Sequence, residues 1–336
     1  MSASNVQILL RQRPVGFPGD ECFELVERRR PEPGPGDVLV RNIYLSTDPY
    51  LRGRMDGAFA LGEPIVARVV GQVEQSQHSA WRPGDLVWGF LGWEQYTLVR
   101  GGGGLTRIDP ALGPISHAIS VLGMPGLTAW VGMIQLGRPE PGETVFVSSA
   151  AGAVGSVAGQ LARLAGARVV GSAGSDAKCA HVVDTLRFDA CFNYRTAASI
   201  NDALKEHCPA GIDVYFDNVG GETLEAVFRR MNDHARIPVC GMIARYNDVG
   251  DSPGTKGLIA VLAKRATMTG FSIYDHVHQL PAFLPRMSAW LRSGEVVYTE
   301  EIIAGVERAP EVFQGMLRGD GVGKRLVQVS EDPTKG

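Results

Sequence analysis

The chain of 336 residues lacks most of the features that would place it outside the ordinary globular enzymes. No stretch approaches the ~18 uninterrupted apolar residues of a membrane-spanning helix. Residues 1–13 have no apolar core of the length a secretory signal needs, so a cytoplasmic location and no membrane partner are expected. Cysteine is scarce: Cys22, Cys179, Cys191, Cys208 and Cys240 are odd in number, scattered and without a Cys-x-x-Cys pair. That pattern argues for reduced thiols rather than a disulfide frame. There is no excess of positive charge either. The net charge is −3, and the one basic cluster, Arg28 to Arg30 before Pro31, reads as a solvated strand end, so no nucleic-acid partner is expected. His276 and His278 form the only close histidine pair, which is too few ligands for a metal site.

What is present is glycine, 42 residues of it, placed as punctuation between short apolar runs. The length suits two domains better than one, and 44% hydrophobic with 21% charged residues is ordinary for a soluble enzyme. The first third reads as short strands (6–10, 22–27, 38–45, 65–73, 86–88 and 94–99) separated by Pro- and Gly-rich turns, a β-rich, barrel-like pattern. A helix is predicted over 126–136. From residue 144 strands and helices alternate. Strands are predicted at 144–147, 167–171, 191–193, 214–217, 236–240 and 268–273, which implies an α/β fold with a doubly wound parallel sheet. The tail adds a strand (296–303), a helix (310–317) and a last strand (324–329) that return to the first domain. The expected domains are therefore 1–125 with 304–336, β-rich, and 126–303, nucleotide-binding.

The pattern tightens at residues 145–178. A short apolar strand leads into Ser149-Ala150-Ala151-Gly152-Ala153-Val154-Gly155, then an amphipathic helix and a second strand. Ala150, Gly152 and Gly155 fall at the offsets of the dinucleotide fingerprint. There the first small residue allows the tight turn, the second admits a pyrophosphate, and the third lets helix and strand pack closely. The strand–turn–helix context makes this a dinucleotide site. An NAD-preferring fold ends its second strand on an acid that binds the ribose hydroxyl. Here the strand ends Gly171-Ser172-Ala173-Gly174, followed by Ser175 and Lys178, a hydroxyl and an ammonium that suit a 2′-phosphate. NADP is the expected cofactor, with Asp176 expected to cap the next helix and point away.

Five segments together resemble the zinc-independent medium-chain dehydrogenase/reductases of the leukotriene dehydrogenase, prostaglandin reductase and bacterial curcumin reductase type. They are L-S-T-D-P-Y-L-R (45–52), G-M-P-G-L-T-A (123–129), S-A-A-G-A-V-G-S (149–156), Y-F-D-N-V-G-G (215–221) and G-M-L-R-G-D (315–320). The resemblance spans nearly the whole chain. It implies a Rossmann domain beside a GroES-like catalytic domain, a homodimer, and hydride transfer from NADPH to the β-carbon of an unsaturated ketone or aldehyde without zinc. The superfamily's catalytic cysteine is Ser46 here, and its four-cysteine zinc lobe is absent near residues 101–104.

Carried over residue by residue, the resemblance puts Gly152, Ala153, Val154 and Gly155 at the pyrophosphate. Ser175, Lys178 and Tyr194 fall at the adenosine phosphate, and Asn218, Cys240, Gly241, Tyr246, Phe271, Ser272 and Ile273 beside the nicotinamide. Tyr50, in the motif at the lost zinc site, is the candidate proton donor, and Tyr50, Trp93, Tyr246 and Tyr274 are candidates for the pocket wall, with loops 88–93 and 245–255. Two positions depart from the mammalian pattern: Ala263 stands where those relatives carry a tyrosine, and Gly321 where they carry an asparagine. A quinone reductase of the zeta-crystallin type and a non-catalytic NADPH-binding protein remain alternative readings.

Overall fold

The computed structural model describes residues 4–250 and 254–335. The chain forms two compact units, one of Met1–Ser120, Glu300–Gly321 and Arg325–Gly336, the other of Val121–Thr299 and Val322–Lys324.

The second unit is built on six strands in the order Ala190–Asn193, Arg168–Ala173, Thr144–Val147, Ile212–Phe216, Met231–Val239 and Thr267–Gly270. Every neighbouring pair is parallel. Parallel strands are buried on both faces, which is why Thr144–Val147 is an unbroken apolar run with every residue buried. Helices cover the faces, among them Gly155–Leu164, Ile200–His207 and Gly221–Phe228. On one face Phe146 stacks between Phe192 and Tyr215, with ring centroids at 5.8 and 5.2 Å. The doubly wound sheet expected from the alternation is the observed one.

Among the boundaries that differ from expectation, three bear on the second unit. The helix predicted at 126–136 is regular only over Met124–Trp130 and widens over Val131–Gly137, where the Arg138 N–H reaches back five residues to Met133 O at 2.8 Å. The strand predicted to reach 273 stops at Gly270, so Phe271 to Ile273 lie in the turn beyond it. The tail strand begins at Glu300 instead of 296. Before it, the Gln160 side chain acts as a partner strand: its amide oxygen accepts from the Val297 N–H at 2.7 Å and its amide nitrogen donates to Val297 O at 2.8 Å.

The first unit carries a two-stranded sheet, Ser4–Leu10 with Phe23–Arg29, and a seven-stranded one. The larger sheet runs Glu300–Ala304, Lys324–Gln328, Val38–Ser46, Val66–Ser76, Leu86–Gly92 and Thr106–Arg107, with Tyr96–Val99 paired on Val38–Ser46. It is an open, branched sheet rather than a closed barrel. One edge of Val38–Ser46 pairs along its length with Val66–Ser76. The other edge is divided, residues 38–41 to Tyr96–Val99 and residues 44–46 to the returning tail strand. Asn42 sits at the division, its buried side-chain amide donating to Gly92 O, Glu94 O and Thr97 Oγ1 at 3.2, 2.9 and 3.0 Å.

Trp93 belongs to the core of this unit. It is 0% exposed, stacked on Phe23 and edge-on to Phe313 with centroids at 6.5 and 5.8 Å. No part of the ring reaches a surface, so the expectation that it walls a pocket is corrected. Among the described residues, no helix is long and apolar enough to cross a membrane.

Candidate active site

The glycine turn of the second unit is shaped by Ser149, which adopts a left-handed backbone with φ 53°. That twist turns its carbonyl under the start of helix Gly155–Leu164. A Cβ on Gly155 would collide with the Ser149 carbonyl oxygen and lie 3.0 Å from its carbon, so the approach is open to glycine alone. A Cβ on Gly152 would sit 3.1 Å from Ser149 Oγ. Ala150, in the place of the first fingerprint glycine, is fully buried, and its N–H donates to Ser172 O at 2.9 Å, which ties the turn to the second strand. Residues 152–154 are half-buried at the N-terminal end of this helix, the end whose dipole favours an anion. These residues therefore fit a pyrophosphate. The turn Val322–Lys324 closes the other side, the Gly323 N–H donating to Ala151 O at 2.8 Å.

At the end of the second strand, Tyr194 lies against Gly174, and Ser175 follows directly in the chain. A Cβ on Gly174 would be 3.1 Å from the Tyr194 hydroxyl. Ser175, rather than Asp176, caps helix Asp176–Ala180: its hydroxyl oxygen accepts from the Lys178 N–H at 3.3 Å, which leaves the hydroxyl proton to donate. Asp176 instead accepts from Asn193 Nδ2 at 2.8 Å. The sequence reading missed Arg195. Its guanidinium lies over the Tyr194 ring, 5.9 Å from the centroid, and Nε would be 3.4 Å from a Gly174 Cβ. The signal was a second cation directly after Tyr194. The Tyr194 hydroxyl and the Arg195 guanidinium at Gly174, with Ser175 and Lys178 next in the chain and no acid where the ribose acid would stand, suit a phosphate dianion.

The third group gathers at the ends of the next two strands. Loop 218–221 and segment 240–246 are zipped together, the Ala244 N–H donating to Val219 O at 3.2 Å and Gly220 lying where a Cβ would be 3.0 Å from Met242 Cε. The Tyr246 hydroxyl would be 3.1 Å from a Gly241 Cβ, so Asn218, Cys240, Gly241 and Tyr246 share one patch of mostly half-buried backbone. Burial raises the Tyr246 phenol above its ordinary range. Cys240 is pushed up to about 12 by burial and by the Asp217 carboxylate, so it is a neutral thiol at physiological pH and no nucleophile. Phe271 packs with Phe216 against Gly132, whereas Ser272 is exposed and Ile273 buried just beyond. Tyr274 is exposed. Residues 251–253 of the expected pocket loop 245–255 lie outside the described residues.

In the first unit, Tyr50 opens the short helix Tyr50–Arg54 and is half-buried. Beside it in sequence, the Ser46 hydroxyl donates to the Asp48 carboxylate, both buried. Among the described residues no group of three or more His, Cys, Asp or Glu could hold a metal ion. Gly321 has φ 74°, and a side chain there would collide with the Glu301 carboxylate and lie 2.7 Å from Arg325 Cδ. Both of those side chains would have to shift to admit one.

Comparison with known proteins gives concordant matches. Residues 6–108 match the family described as the N-terminal domain of oxidoreductase, and residues 153–289 the family described as zinc-binding dehydrogenase. The chain is 40% identical to the NADP(+)-dependent 2-alkenal reductase of Nicotiana tabacum, over 98% of each chain. It is also 40% identical to the NADPH-dependent curcumin reductase of Escherichia coli, again over 98% of each. Among solved structures, CurA from Vibrio vulnificus in complex with NADPH superposes with a TM-score of 0.90 at 40% identity, covering 98% of this chain and 100% of that one.

The cluster around Gly174 makes a quantitative prediction. Lys178→Ala and Arg195→Ala should each weaken NADPH binding by about tenfold, the value of one charge-assisted hydrogen bond, and leave NADH binding within about twofold. Fluorescence titration with both nucleotides checks this; equal weakening of the two would remove these side chains from the 2′-phosphate.

Proposed function

The chain belongs to the zinc-independent medium-chain dehydrogenase/reductases, and on that premise we propose the following reading of its activity. It is an NADP-dependent oxidoreductase that reduces the carbon–carbon double bond of α,β-unsaturated ketones and aldehydes. The observation that carries the reading is full-length similarity to an alkenal reductase and a curcumin reductase in a chain whose glycine turn has the shape a dinucleotide needs.

NADPH supplies a hydride to the β-carbon of the substrate. The chain's own contributions follow from the geometry. The start of helix Gly155–Leu164 receives the pyrophosphate, and Ser175, Lys178, Tyr194 and Arg195 receive the 2′-phosphate. Asn218, Gly241 and Phe271 line the segments that orient the reactive ring. Negative charge then develops on the substrate carbonyl oxygen, so a donor there lowers the barrier, and the α-carbon finally takes a proton. We assign the donor role to Tyr50, because a phenolic O–H can donate a hydrogen bond and Tyr50 lies in the motif at the superfamily's zinc site. Absorbance loss of NADPH against a panel of alkenals, enones and quinones tests the reading. Oxidation with alkenals and enones is expected. Turnover of quinones alone would favour the quinone reductase reading, and binding without turnover a non-catalytic role. Tyr50→Phe should lower the enone rate at least about tenfold. An unchanged rate would remove Tyr50 from the mechanism.

We further propose a homodimer formed through the second unit. Thr267–Gly270 ends the parallel sheet with one edge unpaired in the sheet order, and the neighbouring Leu258, Ile259 and Leu262 are 54, 72 and 74% exposed. An open strand edge beside apolar side chains favours association with a second copy. Sedimentation is expected to give twice the 36.1 kDa chain mass, and Leu262→Glu to give monomers. A monomeric wild-type protein at micromolar concentration contradicts the proposal.

A further inference from the structure

Strands Thr144–Val147 and Ile212–Phe216 lie side by side, Tyr215 opposite Phe146 and Phe216 opposite Val147. They are the two strands between which the winding direction reverses, and ligands of such sheets bind where the chain leaves the carboxyl ends of that pair. At those ends sits a buried polar cluster that binding of the phosphates does not call for. Asp217 has no exposed surface. Its Oδ1 accepts from the Tyr215 hydroxyl at 2.7 Å, the Val219 N–H at 2.9 Å and the Gly220 N–H at 2.8 Å. Its Oδ2 is buried without a hydrogen-bond partner. The Tyr215 oxygen also lies 3.0 Å from Ser148 Oγ, and Ser148 in turn receives Asn218 twice, backbone N–H to Oγ at 3.0 Å and side-chain amide to the carbonyl oxygen at 2.7 Å. The Asp217 carbonyl oxygen accepts from the Cys240 and Gly241 N–H groups at 2.8 and 3.1 Å.

One carboxylate and one phenol thus tie Ser148, before the glycine turn, to Val219 and Gly220, while the main-chain carbonyl of Asp217 carries Cys240 and Gly241. A buried carboxylate with an unsatisfied oxygen is a costly way to fill space between strands, which an apolar side chain would fill without that cost. Two of its three acceptor bonds, from the Val219 and Gly220 N–H groups, organise the loop, and the third ties it to Tyr215 of the strand. The glycine turn, by contrast, is held by its own contacts: the Gly152 N–H on Ser149 O at 3.0 Å, the Ala150 N–H on Ser172 O and the Gly323 N–H on Ala151 O.

We infer that Tyr215 and Asp217 are positioning residues for hydride transfer: they hold loop 218–221 and residues 240–241 in register with Ser148, and so set the seat of the reactive ring independently of the phosphates. The inference rests on the NADPH reading above. It separates two properties that a general packing role would move together. Tyr215→Phe keeps the ring stacked on Phe146 and removes only the hydroxyl. It should lower kcat with an enone at least about tenfold, since small misplacements at the reacting atoms cost that much or more. NADPH affinity, measured by fluorescence quenching without substrate, should stay within about threefold, because the phosphate contacts are untouched. In the nucleotide-free protein, hydrogen exchange of the Val219 and Gly220 amides should quicken while amides of helix Gly155–Leu164 keep their protection. Ser148→Ala, which removes the link from the neighbouring strand, should give the same split. Asp217→Asn keeps an acceptor oxygen for the loop and should retain more activity than Asp217→Ala. Parallel losses of kcat and affinity, or an unchanged kcat with unchanged exchange, would overturn the assignment. A wild-type protein that fails to bind NADPH in the same titration removes the NADPH reading and this inference with it; a wild type that binds and turns over while the variants show no split removes only the inference.

Discussion

The close approach of Gly155 to the Ser149 carbonyl is the constraint on which the second unit depends. It requires a left-handed Ser149 and a residue without Cβ at the start of the helix. In return the helix packs directly against Thr144–Val147, and its first turn faces the space above the strand. The same turn is bonded to the second strand through Ala150 and to the tail through Ala151. The proposed pyrophosphate seat, the link to the second strand and the tail anchorage therefore share one local geometry, and a side chain at position 155 would disturb all three.

Much of this was legible in the sequence because it depends on short-range pattern. Alternating apolar strands and amphipathic helices require a parallel sheet, and glycine at fixed offsets between strand and helix requires the tight turn. What was not legible depends on partners distant in sequence. Gln160 imitates a strand edge for Val297 across 137 residues, which delays the tail strand. The division of one edge of Val38–Ser46 between two strands turns an expected barrel into an open sheet. Trp93 reads as an aromatic in a loop, and only the placement of Phe23 and Phe313 around it shows that it is core.

The candidate site shows the same division. Gly152, Gly155, Ser175 and Lys178 were proposed from spacing and charge. Arg195 was passed over although it directly follows Tyr194, because its return to Gly174 is a property of the fold. The buried carboxylate of Asp217 was likewise visible only as part of a motif. Its arrangement, three donors on one oxygen at the ends of adjacent strands, is a property of the fold.

The most direct test of the account is NADPH titration of the wild-type protein beside Gly155→Ala, with thermal unfolding of both recorded. The wild type should bind NADPH saturably. The variant should lose at least about a hundredfold in affinity, because the added methyl displaces the Ser149 carbonyl and with it the anion seat, while still unfolding cooperatively. Equal binding by the two proteins would contradict the claim that this turn is the nucleotide site.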